Sequence, residues 1–349
     1  MDTLDLDLDV ALPPDSKLAL VKWFWGYKPA ETFDDEEPSN SPNGSLNPYF
    51  EYYYKQCELI ALYQNEEYSS LKTHRNIVDV AALIQQTDQD RPAVLAQLPG
   101  LLGSGTDAQQ ENTLQLVSRL LTMTRIGEIP HEFISPRPTE WKDGTLTEFV
   151  RDYFSPSPVL GHERIKFEKT FNGLSLSLIT GLEIRWTDNL ADHLRLMNND
   201  TTVCVFHHAT FLLSQGASSI FLSSFVSETL RTLALLIPKY DKNVKTWYGI
   251  QAAKYNLDPA ATESGYLIAD ERQVESFRYW HDRLVVLKQV YDESRPNTLS
   301  QWWHDRRNSV QWYTFWVALL VLFLTVFFGL VQCIEGALQV YVSFNPPAT

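Results

Sequence analysis

Apolar and polar positions alternate with three different periods along this chain, and the longest apolar run lies near its C-terminal end. Trp312 to Val331 contains no charged residue. At ~1.5 Å per residue a helix of that run is about 30 Å long, the thickness of a bilayer's hydrocarbon core. Trp302, Trp303, Trp312, Tyr313 and Trp316 crowd its upstream edge, where amphipathic rings favour the headgroup layer. Arg306 and Arg307 lie on the same side, with Lys288 and Arg295 behind them, and no Lys or Arg follows Val331. The positive-inside rule therefore predicts a cytosolic body on one span. Met1–Val10 is acidic and lacks the basic and apolar regions of a secretory signal, so the expected topology is that of a tail-anchored protein. An endomembrane of the ER type is expected rather than the mitochondrion, and the sequons at Asn43 and Asn199 should stay unmodified in the cytosol.

Before the span the period is mostly helical. Tyr49, Tyr52, Tyr53, Gln56, Cys57, Ile60 and Tyr63 follow i, i+3, i+4, i+7 spacing; Val78, Ala81, Ala82 and Ile84 predict a second helix, and Leu114, Val117, Leu121 and Thr124 a third. Residues 146–154 and 167–179 read as helices, 182–186 as a short strand, 189–197 as a short helix and 201–211 as a strand rich in β-branched and aromatic residues. Phe221 to Ile237 returns to helical spacing. Phe277, Trp280, Leu284, Leu287 and Tyr291 mark one stripe of a long amphipathic helix that Pro296 ends. Ala209 to Ser227 lacks charge, but its serines make it too polar for a second span. The fold class is mainly α with a small β element, a helical cytosolic body plus one C-terminal transmembrane helix.

Turn-forming and acidic stretches suggest the boundaries. Residues 1–47 form a flexible acidic arm in which Trp23, Phe24 and Trp25 either dock a partner or tuck back onto the body. A helical subdomain then covers 48–128 and Pro130, Pro136 and Pro138 punctuate the connection to a helical or α+β subdomain at 139–295. A juxtamembrane aromatic and basic segment fills 296–311, the transmembrane helix 312–331 and a short tail 332–349.

Composition excludes some functions. Lys+Arg number 29 against Asp+Glu 43, a formal net charge of -14 that phosphate backbones would repel, so no nucleic-acid partner is expected. Hydrophobic residues at 44% suffice for a sizeable core. Cys57, Cys204 and Cys333 are too few and too far apart for a disulfide framework or a CxxC zinc site. Asp5-x-Asp7-x-Asp9 reads as a solvated tail, and Gly103-Ser104-Gly105 lacks the following Gly-Lys-Ser/Thr of a phosphate cradle. His131-Glu132 has no zincin partner, and no nucleophile elbow is present.

Asp188, Asp192, His193, Cys204, His207 and His208 form the densest set of chemically able side chains. Imidazole, thiolate and carboxylate could bind a metal or move protons. Strand geometry argues against convergence, because adjacent His207 and His208 would point to opposite faces and Cys204 and His208 stand two strand steps apart. A hydrogen-bonded structural histidine is the expectation, with no metal and no cofactor; Asp192, His193 and His207 remain the catalytic candidates of an enzyme reading. Past Val331, Gln332, Glu335 and Gln339 would line one helix stripe and Gly329, Cys333 and Gly336 a small-residue face. Helix self-association and a Glu335 that reaches the lumenal interface are both open.

Three blocks, Trp186-Thr187-Asp188-Asn189-Leu190-Ala191-Asp192-His193-Leu194, Glu228-Thr229-Leu230-Arg231-Thr232-Leu233 and Gln311-Trp312-Tyr313-Thr314-Phe315-Trp316, resemble those of a large family of uncharacterised filamentous-fungal proteins. The resemblance spans about Phe167 to the C-terminus. It implies origin and architecture, and it transfers no functional residue. The leading expectation is a membrane-tethered interaction or scaffold protein whose partners are the bilayer, through 312–331, and a cytosolic protein. A membrane-anchored enzyme is the alternative; a winged-helix-like protein-binding module over 146–211 is a third.

Overall fold

The structure is a computed structural model that describes residues 4–26, 46–62, 68–86, 89–128, 139–155, 157–161, 165–294, 301 and 309–344. Trp302, Trp303, Arg306 and Arg307, the juxtamembrane candidates, lie outside these residues, as do Asn43, Pro130 and His131.

The helices of the body are α1 (Pro14–Trp25), α2 (Asn47–Leu62), α3 (His74–Ile84), α4 (Arg91–Leu102), α5 (Asp107–Thr122) and α6 (Leu146–Phe154). Local chemistry sets several of their starts. Thr73, Thr106 and Thr145 each accept the backbone N–H three residues on, while the side chains of Asn76, Gln109 and Glu148 bond back to the cap's own N–H. Within the expected flexible arm, residues 27–45 lie outside the described residues, while Pro14–Trp25 form the helix α1. Pro14 opens it, Gly26 closes it in the left-handed region, and Leu20, Val21, Phe24 and Trp25 are buried while Trp23 is exposed. Trp25 sits edge-to-face on Tyr49 and Phe211 at 4.9 and 5.3 Å, so the N-terminal segment contributes to the core. His74 ties it down further: Tyr53 Oη donates to Nδ1 and Nε2–H donates to the Val10 carbonyl.

After α6 the pattern departs from expectation. Residues 167–179 are not one helix: Asn172 caps the single turn α7 (Gly173–Ser175), a π-helical turn covers Leu176–Thr180, and Phe167 N–H bonds the Arg272 carbonyl in an extended pairing. β1 (Glu183–Thr187) follows, then a 3-10 turn at Leu190–Asp192 where a longer helix was expected. Next come β2 (Leu196–Met197) and β3 (Thr202–Phe206). Asn198, Asn199 and Asp200 all take positive φ in the β2–β3 turn, a conformation that Asn and Asp tolerate best among non-glycine residues. The sheet order is β1-β3-β2, with β1 parallel and β2 antiparallel to β3. Along the chain, a single 3-10 turn at Leu190–Asp192 stands where the helix–strand–helix–strand order of the winged-helix reading places its second helix.

The expected strand 201–211 stops at Phe206, and α8 (Ala209–Ser214), a 3-10 turn at Gln215–Ala217 and α9 (Ser223–Leu236) follow. Residues 209–227 are thus divided among α8, the 3-10 turn and the start of α9, with buried Phe211, Leu212, Ile220 and Phe221, and are not a span. α10 (Lys242–Tyr255), a 3-10 turn at Pro259–Glu263 and α11 (His281–Glu293) complete the body. The expected 277–291 helix begins four residues late because two side chains of α9 hold its approach. The buried Glu228 carboxylate accepts the backbone N–H groups of Arg278, Tyr279 and Trp280 at 2.7–2.9 Å. One turn on, Arg231 donates to the carbonyls of Glu271 and Ser276. Donors and acceptors that a helix would satisfy internally are satisfied by these side chains instead.

The body forms one compact unit, residues 1–177 with 182–293, which contains the expected segment 48–128 and, apart from 178–181 and 294–295, the expected segment 139–295. A second unit, 178–181 with 294–349, contains α12 (Ser309–Phe344). Trp312–Tyr341 within it, 30 residues, is long and apolar enough to cross a membrane and none of it is buried. The helix runs past the expected end at Val331 and carries Gln332, Glu335 and Gln339 in continuous helical register.

Candidate functional site

The parallel pairing of β1 and β3 puts their C-terminal ends side by side, Thr187 opposite Phe206. The residues that follow each strand therefore meet. Asp188 leaves β1; His207 and His208 leave β3 where the strand has ended, so strand alternation no longer sends them to opposite faces. His208 Nε2 lies 2.7 Å and His207 Nε2 3.5 Å from the same oxygen, Asp188 Oδ1, and the two imidazoles stack with centroids 3.9 Å apart. This convergence corrects the expectation drawn from β geometry.

Hydrogen bonding fixes the tautomer of His207. Asp258 donates its backbone N–H to His207 Nδ1 at 3.2 Å, so the ring's proton sits on Nε2, facing Asp188. The Asp258 carboxylate is itself occupied by Thr210 N, Thr210 Oγ1 and Ala260 N, which pins the start of α8 to the Pro259–Glu263 turn. Burial opposes the charge on Asp188, but the N–H groups of His207 and His208 overcome it and hold its carboxyl well below the usual carboxylate range. Burial, then the neighbouring His207, brings His208 down to about 4 against the pull of Asp188. At neutral pH the cluster is a carboxylate between two imidazole donors.

Asp188, His207 and His208 are the residue types of a two-histidine, one-carboxylate metal site, and their donor atoms lie within 4.8 Å of one another. The electron pairs do not fit. A metal on His207 Nε2 needs the proton on Nδ1, where it would confront the Asp258 N–H. Among the described residues, no hydroxyl or thiol nucleophile is hydrogen-bonded to either histidine.

The other expected groups lie apart from this cluster. His193 is wholly buried, with Phe206 N–H donating to Nδ1 and Nε2–H to Thr232 Oγ1, and its ring meets Trp280 edge-on at 4.8 Å. Burial, with Arg283 nearby, lowers it to about 3. Asp192 accepts from Asn189 and Arg195, and Cys204 Sγ contacts the Met197 sulfur at 3.2 Å. Asp192, His193 and His207 thus share no hydrogen-bond partner among the described residues.

A cavity of about 250 Å³ opens beside Asp188 and His207. Glu51 and Lys55 of α2 form one wall, β1 from Glu183 to Trp186 a second, and Tyr255, Asn256 and Leu257 at the end of α10 a third. Sequence reasoning missed Glu51, Lys55 and Tyr255, because nothing in their local pattern joins α2 to the end of α10. Comparisons of the chain with protein-family models, with curated proteins and with solved structures return no match.

Proposed function

We propose that this chain is a membrane-tethered interaction protein, with its body on the cytosolic face of an ER-type endomembrane and α12 as the anchor. The observation that carries the reading is the apolar helix Trp312–Tyr341, none of it buried, whose transfer from water to lipid is strongly favourable. Trp312, Tyr313 and Trp316 at its upstream end suit the headgroup layer, and Arg306 and Arg307 favour the cytosolic side. The partners of this reading are the bilayer, an unidentified cytosolic protein and a second copy packed along Gly329, Cys333 and Gly336 of α12. The separation of His193 and Asp192 from His207 counts against an enzyme built on those three groups, and the reading invokes no cofactor.

Topology tests it. A glycosylation acceptor appended after Thr349 should be modified in microsomes while Asn43 and Asn199 are not. Endoglycosidase-sensitive sugar on Asn199 would reverse the orientation, and full extraction of the chain by carbonate would refute the span.

A further inference from the structure

The walls of the cavity at the end of the parallel strands carry one more negative than positive charge, Glu51, Glu183 and Asp188 against Lys55 and Arg185. Glu51 accepts from Lys55 at 2.6 Å through Oε1 and from Asn256 through Oε2, so its charge and acceptors are occupied. Glu183 and Arg185 stand two residues apart on the same side of β1, where opposite charges offset each other. Asp188 differs. Both imidazole N–H groups go to its Oδ1, and among the described residues Oδ2 has no hydrogen-bond partner.

β1 adds acceptors. It is an edge strand, and its ladder with β3 is set by the bond from Glu183 N–H to the Thr201 carbonyl. Main-chain groups of alternate residues point to alternate sides of a strand, so those of Ile184 and Trp186 turn away from β3 toward the open edge. Both residues line the cavity, as does Tyr255. Ionised oxygen, main-chain carbonyls and aromatic faces together are what a primary ammonium or a guanidinium requires. An anionic ligand would meet Asp188 with both histidine donors already spent.

We propose that this cavity binds a small ligand through a cationic head group, an ammonium or a guanidinium, seated on the Asp188 carboxylate. His207 and His208 are positioning residues: they fix the carboxylate's orientation before the ligand arrives, which removes part of the ordering cost of binding. The volume admits a head group with a few carbons, on the scale of a lysine or arginine side chain with its amides. The proposal does not depend on the membrane anchor or its orientation.

The test uses full-length protein in nanodiscs and three probes measured by calorimetry: N-acetyl-lysine amide, N-acetyl-arginine amide and N-acetyl-citrulline amide, the last a neutral isostere of the second. Saturable binding is expected for at least one cationic probe below about 10 mM, at least about tenfold tighter than for the citrulline probe. Asp188→Asn should remove that preference, and His207→Gln should weaken it without reversing it. The isostere comparison stands on the unsubstituted protein, so misfolding of a variant leaves it intact. Equal binding of the arginine and citrulline probes, or no saturation by either cationic probe, would overturn the proposal. Stoichiometric zinc uptake abolished by His207→Gln would overturn it too, because it requires the unprotonated Nε2 that the tautomer argument excludes.

Discussion

Replacing Glu228 with Gln tests whether one side chain decides the path of ten residues. In the native protein Oε2 accepts Arg278 N–H at 2.8 Å, and Oε1 accepts Tyr279 and Trp280 N–H at 2.7 and 2.9 Å. Gln keeps the shape and one acceptor oxygen. It turns an NH2 toward either one or two of these backbone donors and weakens the remaining bonds by removing the charge. A hydrogen bond to a charged group contributes about 1.5–3 kcal/mol and a buried orphan donor costs about 1–3 kcal/mol. With the NH2 facing Arg278, the cheaper choice, Glu228→Gln should cost about 2–3 kcal/mol, and Glu228→Ala, which strands all three donors, about 4–5 kcal/mol. Hydrogen exchange read by mass spectrometry over residues 277–281 reports this locally. At about 1.4 kcal/mol per tenfold change, protection of these amides should fall roughly 30- to 140-fold in Glu228→Gln, while amides of α3 and α5 change far less. A change below about threefold would refute the view that Glu228 holds this segment off the helix.

Acid should destabilise the body through His193. Its value is about 3 when folded, against about 6.5 for an unperturbed histidine, so the unfolded chain binds the extra proton and stability falls as pH drops from about 6.5 toward 3. At pH 5 the loss from this residue is about 2 kcal/mol, and unfolding free energies from denaturant titrations at pH 7.5 and 5 should converge by that amount in His193→Gln. Asp258→Ala should cost about 3 kcal/mol in thermal or urea unfolding, because it removes the acceptor of Thr210 N and Ala260 N inside the core; a neutral effect would show that water replaces the carboxylate. Cys57 is buried, with its thiol pushed up to about 12, so a membrane-impermeant maleimide should label it only on unfolding, and rapid labelling of the native protein would show that α2 opens locally.

The parts of the fold that are readable from sequence are those with local causes. α5 and α6 announce themselves through Thr-x-x-Gln and Thr-x-x-Glu caps and an apolar stripe, and α12 through its hydropathy. α4 carries no clear stripe, since Pro99 and Gly100 interrupt its pattern, and α1 hides in an acidic segment whose aromatic residues gain burial only from Tyr49 and Phe211 far along the chain. The 271–280 segment is decided by Glu228 and Arg231, some 50 residues upstream in sequence. For the site, the composition of the Asp188/His207/His208 cluster was visible but its geometry was not. Convergence depends on a parallel pairing and on β3 ending one residue before His207, and neither leaves a periodic trace. The placement of Asp258 N–H, which settles the tautomer, is a tertiary fact of the same kind.

Under the anchoring proposed above, the length of α12 would make membrane thickness a variable that the protein can feel. Its charge-free stretch from Trp312 to Val331 is about 30 Å long, matched to an average hydrocarbon core, yet the helix continues roughly 20 Å further to Phe344. With the tryptophans fixed at one headgroup layer, Glu335 sits about 6 Å beyond the far edge of the core. A bilayer only a few ångströms thicker would draw that carboxyl toward hydrocarbon, at a cost that rises toward about 2.5–3.5 kcal/mol at full depth. A thin bilayer leaves Glu335 in the wet headgroup zone and the last turns standing clear as a rigid post. Residence should therefore follow thickness, and Glu335→Leu should redistribute the protein toward thicker, sterol-rich membranes without touching the body.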